Sequence, residues 1–429
     1  MSGIRTEQVM SREHYKELSD IISMPLVSGT SLNDDIVDKQ ATDHPILSLI
    51  NLARLCKKPL REQYNQTSIE FDWNTVNYVN KCYTKYKDQY ELYDFTDMLQ
   101  CFIDESEVSC PKFDLVFLDE AQDLSPLQWD IAHILDKNAK KMYAAGDDDQ
   151  AIYRWAGADV EQFITLDGSS ETLSQSYRVP RRIHRTAENI VSRIRSRYPK
   201  KYEPKDSEGC VSYVSSLDDI DVSSGQWLIL AQAGYILIPV VVMLRSSGYL
   251  FTYKGHRSIS SKISSAVNGW EQLRKGKTVT AETVRDIYSF MSTGVRVKRG
   301  FKTLTGADDG NLLNLAELQD NWGLMIGEEL IWRDALDRLP EEARVYITAM
   351  LRRGEKFNAE PRITVSTIHG SKGGESENVV IFTDLSPSAD DTMRIGNDDI
   401  HRVFYVAVTR TKENLFIVEA EDNNRSYII

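Results

Sequence analysis

The feature that most constrains this chain is a strand, a helix and a second strand written between residues 113 and 146. "FDLVFLDEAQD" (113–123) opens with a continuous apolar run, Leu115 to Leu118, and ends on carboxylates. Continuous apolar character, bounded by polar residues, predicts a buried strand of a parallel sheet. "SPLQWDIAHILD" follows, with Ser125 at an N-cap position and Pro126 in the first turn of a helix. "KKMYAAGD" then reads as a second strand. Such a unit is parallel with a right-handed crossover, so the fold class is α/β. Open α/β sheets place their ligands beyond the carboxyl ends of the strands, where Asp119 and Glu120 stand. A carboxylate pair there is half of a nucleotide-hydrolysing site, one group to hold Mg²⁺ and one to handle water. The other half is a loop that cradles the phosphates.

A chain of 429 residues can bury several cores. Its five cysteines are odd in number and contain no C-x-x-C pair, which fits reduced thiols in the cytoplasm better than a disulfide framework. The N-terminus "MSGIRTEQVM" has no apolar core and does not read as a secretory signal. The longest apolar run, "ILIPVVVML" (236–244), is too short for a bilayer span, so no membrane partner is expected. Its Pro239 suits the first turn of a buried helix. A net charge of −13 argues against a nucleic-acid partner only if charge is evenly spread. Between Arg178 and Lys201 nine basic residues face a single acid, Glu188. Most of these read as a solvated helix face; the alternative reading directs Arg178 at a phosphate and has some of the others track a nucleic-acid backbone, and charge alone does not separate the two.

Residues 1–92 are polar, tyrosine-rich and helical in pattern, and "HPILSLINLARLC" (44–56) and "WNTVNYVNKCYTKY" (73–86) show helical apolar spacing. A second α/β region begins near 210 with "CVSYV" and "WLILA", and strand patterns return in "RITVST", "NVVIFTD" and "NLFIVEA". Between them, 260–358 is charged and helical. The expected organisation is a helical region (1–92), a first lobe (93–190), a second lobe (191–259 and 359–429) and a helical insertion (260–358).

Several short constellations carry chemistry. In "AAGDDDQAIYRWAGA" (144–158), Gln150 sets an uncharged amide beside the Asp119–Glu120 pair, and Tyr153 and Trp155 offer stacking surfaces for single-stranded bases. "ETLSQSYRVP" (171–180) fixes Arg178 after a strand pattern, where it can serve a phosphoryl transition state. "STIHGSKGGESENVVIF" (366–382) sets His369 and Lys372 in a loop between strands, and "VFYVAVTR" places Arg410 at the end of an apolar helix.

Read in order, "DEAQD", "GDDDQAIYRWAGA", "LSQSYR", "STIHGSKGGE" and "VFYVAVTR" resemble the later motifs of UvrD/Rep-type superfamily 1 DNA helicases, and "YDFTDMLQ" (93–100) resembles the segment before the acidic motif. The resemblance covers roughly residues 90–190 and 225–420. It implies two RecA-like parallel-sheet lobes with helical insertions, and an ATP- and Mg²⁺-dependent motor on single-stranded DNA with 3′-to-5′ polarity. It further implies that Asp119 binds Mg²⁺, Glu120 activates water and Gln150 senses the γ-phosphate. Arg178 and Arg410 would be arginine fingers, Tyr177 would stack on the adenine and Glu375 would bond the ribose. Tyr153 and Trp155 would meet DNA, and His369 and Lys372 would couple the DNA track to the nucleotide.

The pattern breaks at its start. The family opens with a phosphate loop, G-x-x-x-x-G-K-[ST], and these residues hold none. The only Gly-Lys pair, Gly276-Lys277, is preceded five residues earlier by Glu271 and lies in the helical insertion. Met1 is expected to fall inside the helical insertion of an incomplete first lobe. Ala156 stands where the family usually has arginine, and Gln232 where arginine is common. Three readings follow: part of a split helicase whose phosphate loop comes from a separate polypeptide, a fragment of an intact helicase, or a non-hydrolysing DNA-binding accessory subunit. In each, the first sheet is expected to expose an unpaired edge and an apolar face.

Overall fold

The computed structural model describes residues 3–26, 44–106 and 110–429, so the expected placement of Met1 lies outside the described residues. The chain is α/β and forms two compact units. The first holds Met1–Tyr177, Arg185–Lys205 and Asp391–Val406, and the second holds Arg178–His184, Asp206–Asp390 and Ala407–Ile429.

The first unit opens with a helical layer: Arg12–Ile22, Pro45–Leu55, Leu60–Gln66, Trp73–Tyr90 and Phe95–Asp104. Leu18, Ile46, Ile50, Val76, Val79 and Tyr83 form its core. Asp72 starts the long helix by accepting from the N–H groups of Asn74 and Thr75. Asp94 and Asp97 start the last by bonding each other's backbone N–H. Both carboxylates are also paired: Lys87 Nζ lies 2.7 Å from Asp94 and 2.5 Å from Asp97, and Arg54 contacts both. Burial alone would raise the Asp94 carboxyl, but the charges of Lys87 and Arg54 outweigh it and hold it below its ordinary value.

The predicted strand–helix–strand unit follows. β1 (Phe113–Leu118) and β2 (Ala139–Ala144) pair in parallel, with Leu115 opposite Lys141 and Phe117 opposite Tyr143. The helix between them, Pro126–Asn138, starts with Ser125 and Gln128 in a capping box and buries Trp129 and Ala132 against Leu118 and Ala144. The expectation of a buried strand is corrected here, and the apolar face expected to be exposed on the first sheet is the one seen. Leu115 is 53% exposed, Phe117 74% and Tyr143 45%, and the Phe117 and Tyr143 rings stack at 5.4 Å. The crossover helix covers one face, and among the described residues this sheet has two strands.

β3 (Gln175–Pro180) and β4 (Glu203–Lys205) precede the large sheet of the second unit. That sheet comprises β5 (Cys210–Val214), β6 (Trp227–Ala231), β7 (Phe251–Tyr253), β8 (His256–Arg257), β11 (Ile363–Thr367), β12 (Ser376–Phe382) and β13 (Thr411–Val418), while β9 (Val279–Thr280) and β10 (Leu312–Leu313) pair separately. Its order is β5-β13-β12-β6-β11-β7-β8, parallel except for the β7–β8 hairpin. That hairpin turns on Lys254 and Gly255, both at positive φ, as a tight hairpin requires. Every residue of β6 is buried, which accounts for the unbroken apolar run "WLILA".

The helix Ile238–Ser246 carries Pro239 in its first turn as predicted, but Ile238 and Val242 are 55% and 61% exposed. It is buried along one side only, because it covers an outer face of the sheet. The helices of 260–358 pack Trp270, Tyr288 and Met350 into the same core as the sheet. Gly276, at φ 73°, follows the end of the helix Ser261–Arg274, so the Gly-Lys pair is a helix end rather than a phosphate loop. The five cysteines are free thiols, and no helix among the described residues is long and apolar enough to cross a membrane.

Candidate active site

β1 ends in a turn with unusual backbone. Glu120 adopts φ 52°, a left-handed conformation that costs a non-glycine residue of order 1 kcal/mol. Asp119 Oδ1 accepts from the Glu120 N–H at 2.9 Å and supports it. A short 3₁₀ turn follows, Ala121–Asp123, in which Gln122 is fully buried. The Gln122 side chain then bridges the two strand ends. Its Nε2 donates to Glu120 Oε2 at 2.5 Å, and its Oε1 accepts from the Asp147 N–H at 3.0 Å. Asp147 Oδ2 in turn accepts from Gln150 Nε2 at 2.7 Å. Glu120 and Gln150, 30 positions apart in the sequence, are thus joined by Gln122 and Asp147. The sequence reading missed both connecting residues, although each lies inside a quoted motif.

Three successive aspartates follow β2, and Asp148 and Asp149 are buried. Buried carboxylates need cations and hydrogen-bond donors, and the basic run after Arg178 supplies them. Lys200 Nζ stands 3.1 Å from Asp147 and 2.9 Å from Asp149, and also contacts Asp148. Arg197 grips Asp149 with two bonds, at 2.8 and 2.7 Å. The Tyr198 N–H donates to Asp148 at 2.8 Å, and Arg402 donates to the carbonyls of Asp148 and Ser196. Arg195 pairs with Asp398 at 3.1 Å. The expectation that this run is mainly a solvated face is corrected for Arg197 and Lys200, whose partners lie far away in sequence and are acidic. Burial pushes the Asp147 carboxyl up while Lys200 opposes it. For Asp149, the Arg197 bonds and the Lys200 charge outweigh burial and hold it low.

Tyr153 and Trp155 occupy the next turn, closed by Gly157 at φ 100°. Trp155 is 68% exposed, whereas Tyr153 is half-buried, and burial, then Asp123 and Glu120, push its phenol up. Arg154 pairs with Asp399 at 3.0 Å. Tyr177, in β3, is 85% exposed.

The other expected residues belong to the second unit. Arg178 lies 3.5 Å from Glu375, and Lys412 lies 2.5 Å from the other oxygen of the same carboxylate. Lys412, chiefly, and then Arg178 hold the Glu375 carboxyl below its ordinary value. Arg410 is buried and donates to the Gly374 carbonyl at 3.3 Å. Arg178, Glu375 and Arg410 therefore meet around one short segment, with Lys412 as a member the sequence reading did not single out. His369 opens the 3₁₀ turn after β11 and Lys372 closes it, both half-buried.

Asp119 fits a hard divalent cation: it is exposed at a strand end, and its second oxygen meets no hydrogen-bond donor among the described residues.

Comparison with known proteins gives the same assignment. The UvrD/REP helicase N-terminal domain family matches residues 11–170, and the UvrD-like helicase C-terminal domain family matches 362–418. The chain is similar to the ATP-dependent DNA helicase PcrA of Bacillus subtilis, 31% identical over 123 residues, which is 27% of this chain and 16% of that protein. The PcrA proteins of Staphylococcus epidermidis and Staphylococcus aureus are each 26% identical, over 187 and 181 residues. Those stretches cover 41% and 39% of this chain and 25% and 24% of the two relatives, so the chain spans well under half of the length of these relatives. With both domain families matched in order, and with the motif residues gathered at strand ends, the chain belongs to the UvrD/Rep family of superfamily 1 helicases.

Proposed function

We propose that this chain is the hydrolytic and DNA-gripping part of an ATP-dependent, 3′-to-5′ DNA translocase or helicase. The observation that carries the proposal is the hydrogen-bonded link from Glu120 through Gln122 and Asp147 to Gln150 at the ends of two parallel strands. In this reading Glu120 accepts the proton of the attacking water, a role worth about 10²–10⁴ in rate. Gln150 senses the terminal phosphate with its amide. Asp119 holds magnesium, which when bound with the nucleotide neutralises phosphate charge. Arg178 and Arg410 stabilise the developing charge. Tyr177 stacks on the adenine, and Glu375, once shared with Lys412 and Arg178, bonds the ribose. Trp155 and Tyr153 stack on single-stranded bases, and His369 and Lys372 relay the state of the nucleotide to them. The phosphate loop comes from a polypeptide outside these residues, and the exposed face of β1 and β2 favours such a partner, because parallel sheets are normally covered on both faces. Five free thiols fit a cytoplasmic site of action.

The test is ATP hydrolysis by the purified chain, with and without single-stranded DNA, alone and with the polypeptide encoded immediately upstream. Glu120→Gln controls for contaminating hydrolases. DNA-stimulated activity that needs the second polypeptide supports the reading. DNA binding without hydrolysis in every combination would instead assign a non-hydrolysing accessory subunit.

A further inference from the structure

Asp147 is tied to both groups assigned to the reaction, to Gln150 directly and to Glu120 through Gln122. Its side chain takes one hydrogen of the Gln150 amide, which fixes the plane of that amide. Its backbone N–H holds Gln122, which holds Glu120. A shift of this one residue displaces both. Asp147 cannot hold its position unaided, since it is the first of three adjacent acids, and its neighbours Asp148 and Asp149 are 2% and 0% exposed.

The group that holds it is Lys200. Its side chain is 6% exposed, and its ammonium lies within bonding distance of all three carboxylates. An ammonium has three donors, so Lys200 can bond Asp147, Asp148 and Asp149 with nothing left over. Arg197 covers Asp149 independently, and Asp148 also receives the Tyr198 N–H. Among the described residues Asp147 pairs with no second cation, so it depends on Lys200 more than the other two do.

We propose that Lys200 is a positioning residue for hydrolysis: by holding Asp147 it sets the Gln150 amide and, through Gln122, the Glu120 carboxylate. This rests on the roles assigned above to Glu120 and Gln150. Lys200 touches no reacting atom. It belongs to the segment 185–205, which reaches the first unit from a stretch of chain that enters and leaves the second.

The variants are Lys200→Met, which keeps the length of the side chain and removes its charge, and Asp147→Asn, which removes the charge Lys200 holds and keeps the shape. Two readouts separate the claims. The first is hydrogen exchange of the 145–153 segment in the chain alone, which needs no nucleotide. A lost charged hydrogen bond predicts local opening about tenfold more frequent there, with exchange in the β6–β11–β12 sheet unchanged. The second is DNA-stimulated hydrolysis by the chain with the polypeptide encoded upstream. Lys200→Met should lower kcat at least to the level of Gln150→Ala with KM for ATP unchanged, and in the Gln150→Ala background should cost less than it does alone, the remainder being its effect through Glu120.

Wild-type exchange at 145–153 in both variants overturns the proposal. So does a loss in the double variant equal to the product of the two single losses. Absence of hydrolysis in the wild-type assembly refutes the motor reading instead, and the exchange result still decides whether Lys200 holds the 147–150 turn.

Discussion

A Cβ placed on Gly146 would stand 2.2 Å from Gln122 Oε1 and 2.9 Å from the Phe163 ring. The glycine and the buried amide are therefore fitted to each other, and the bridge between the two strand ends exists only because residue 146 has no side chain. Gly146→Ala should displace Gln122 and destabilise the chain by about 1–3 kcal/mol, the usual range for overpacking a core. Urea denaturation measures the loss, and unchanged stability together with unchanged exchange at Asp147 would refute the fit.

Arg197→Met should cost about 1.5–3 kcal/mol of stability, because the fully buried Asp149 loses its two-bonded partner and keeps Lys200 as its cation. Arg182→Met, at an exposed arginine 3.8 Å from the exposed Glu208, should cost well under 1 kcal/mol. Equal losses in the two variants would show that burial does not separate these arginines.

Trp155→Ala should weaken binding of single-stranded DNA by about 5- to 150-fold, the equivalent of about 1–3 kcal/mol for one stacked base. Glu120→Gln should leave that affinity as it is. Fluorescence anisotropy with a labelled oligonucleotide decides the matter, and equal affinity in wild type and the tryptophan variant would remove the stacking role.

Acid should loosen the contact between Asp398 and the 195–196 backbone. Burial raises the Asp398 carboxyl, but the N–H groups of Ser196 and Arg195, together with the Arg195 side chain, outweigh it and hold it low. A lowered carboxyl contributes stability that is complete above its unfolded-state pKa, about 3.9, and is lost as pH falls through the lower folded-state value. The difference in thermal midpoint between wild type and Asp398→Asn should shrink on going from about pH 6 to about pH 3. A difference that stays constant over that range would refute the assignment.

The exposed face of β1 and β2 should make the isolated chain associate. Phe117→Ser, which removes the most exposed ring of the Phe117–Tyr143 stack, should reduce association with little effect on the thermal midpoint. Light scattering checks this, and a monodisperse wild-type monomer would contradict it.

The sequence by itself determined the elements that rest on local chemistry. Ser125 and Pro126 start a helix wherever they stand before an amphipathic run, and "WLILA" is too uniformly apolar to be anything but a covered strand. The order of the motifs determined the family, because each carries a rigid local requirement, such as carboxylates at a strand end or an arginine at the close of a helix. Tertiary structure decided what those residues touch. Nothing local tells that Lys200 and Arg197 serve aspartates some fifty positions earlier, because an ion pair depends on distance in space and a charge run looks the same whether solvated or buried. Nor does local pattern tell that Leu115 and Phe117 lie open: an apolar strand is buried only if other elements cover it, and covering is a property of the whole arrangement.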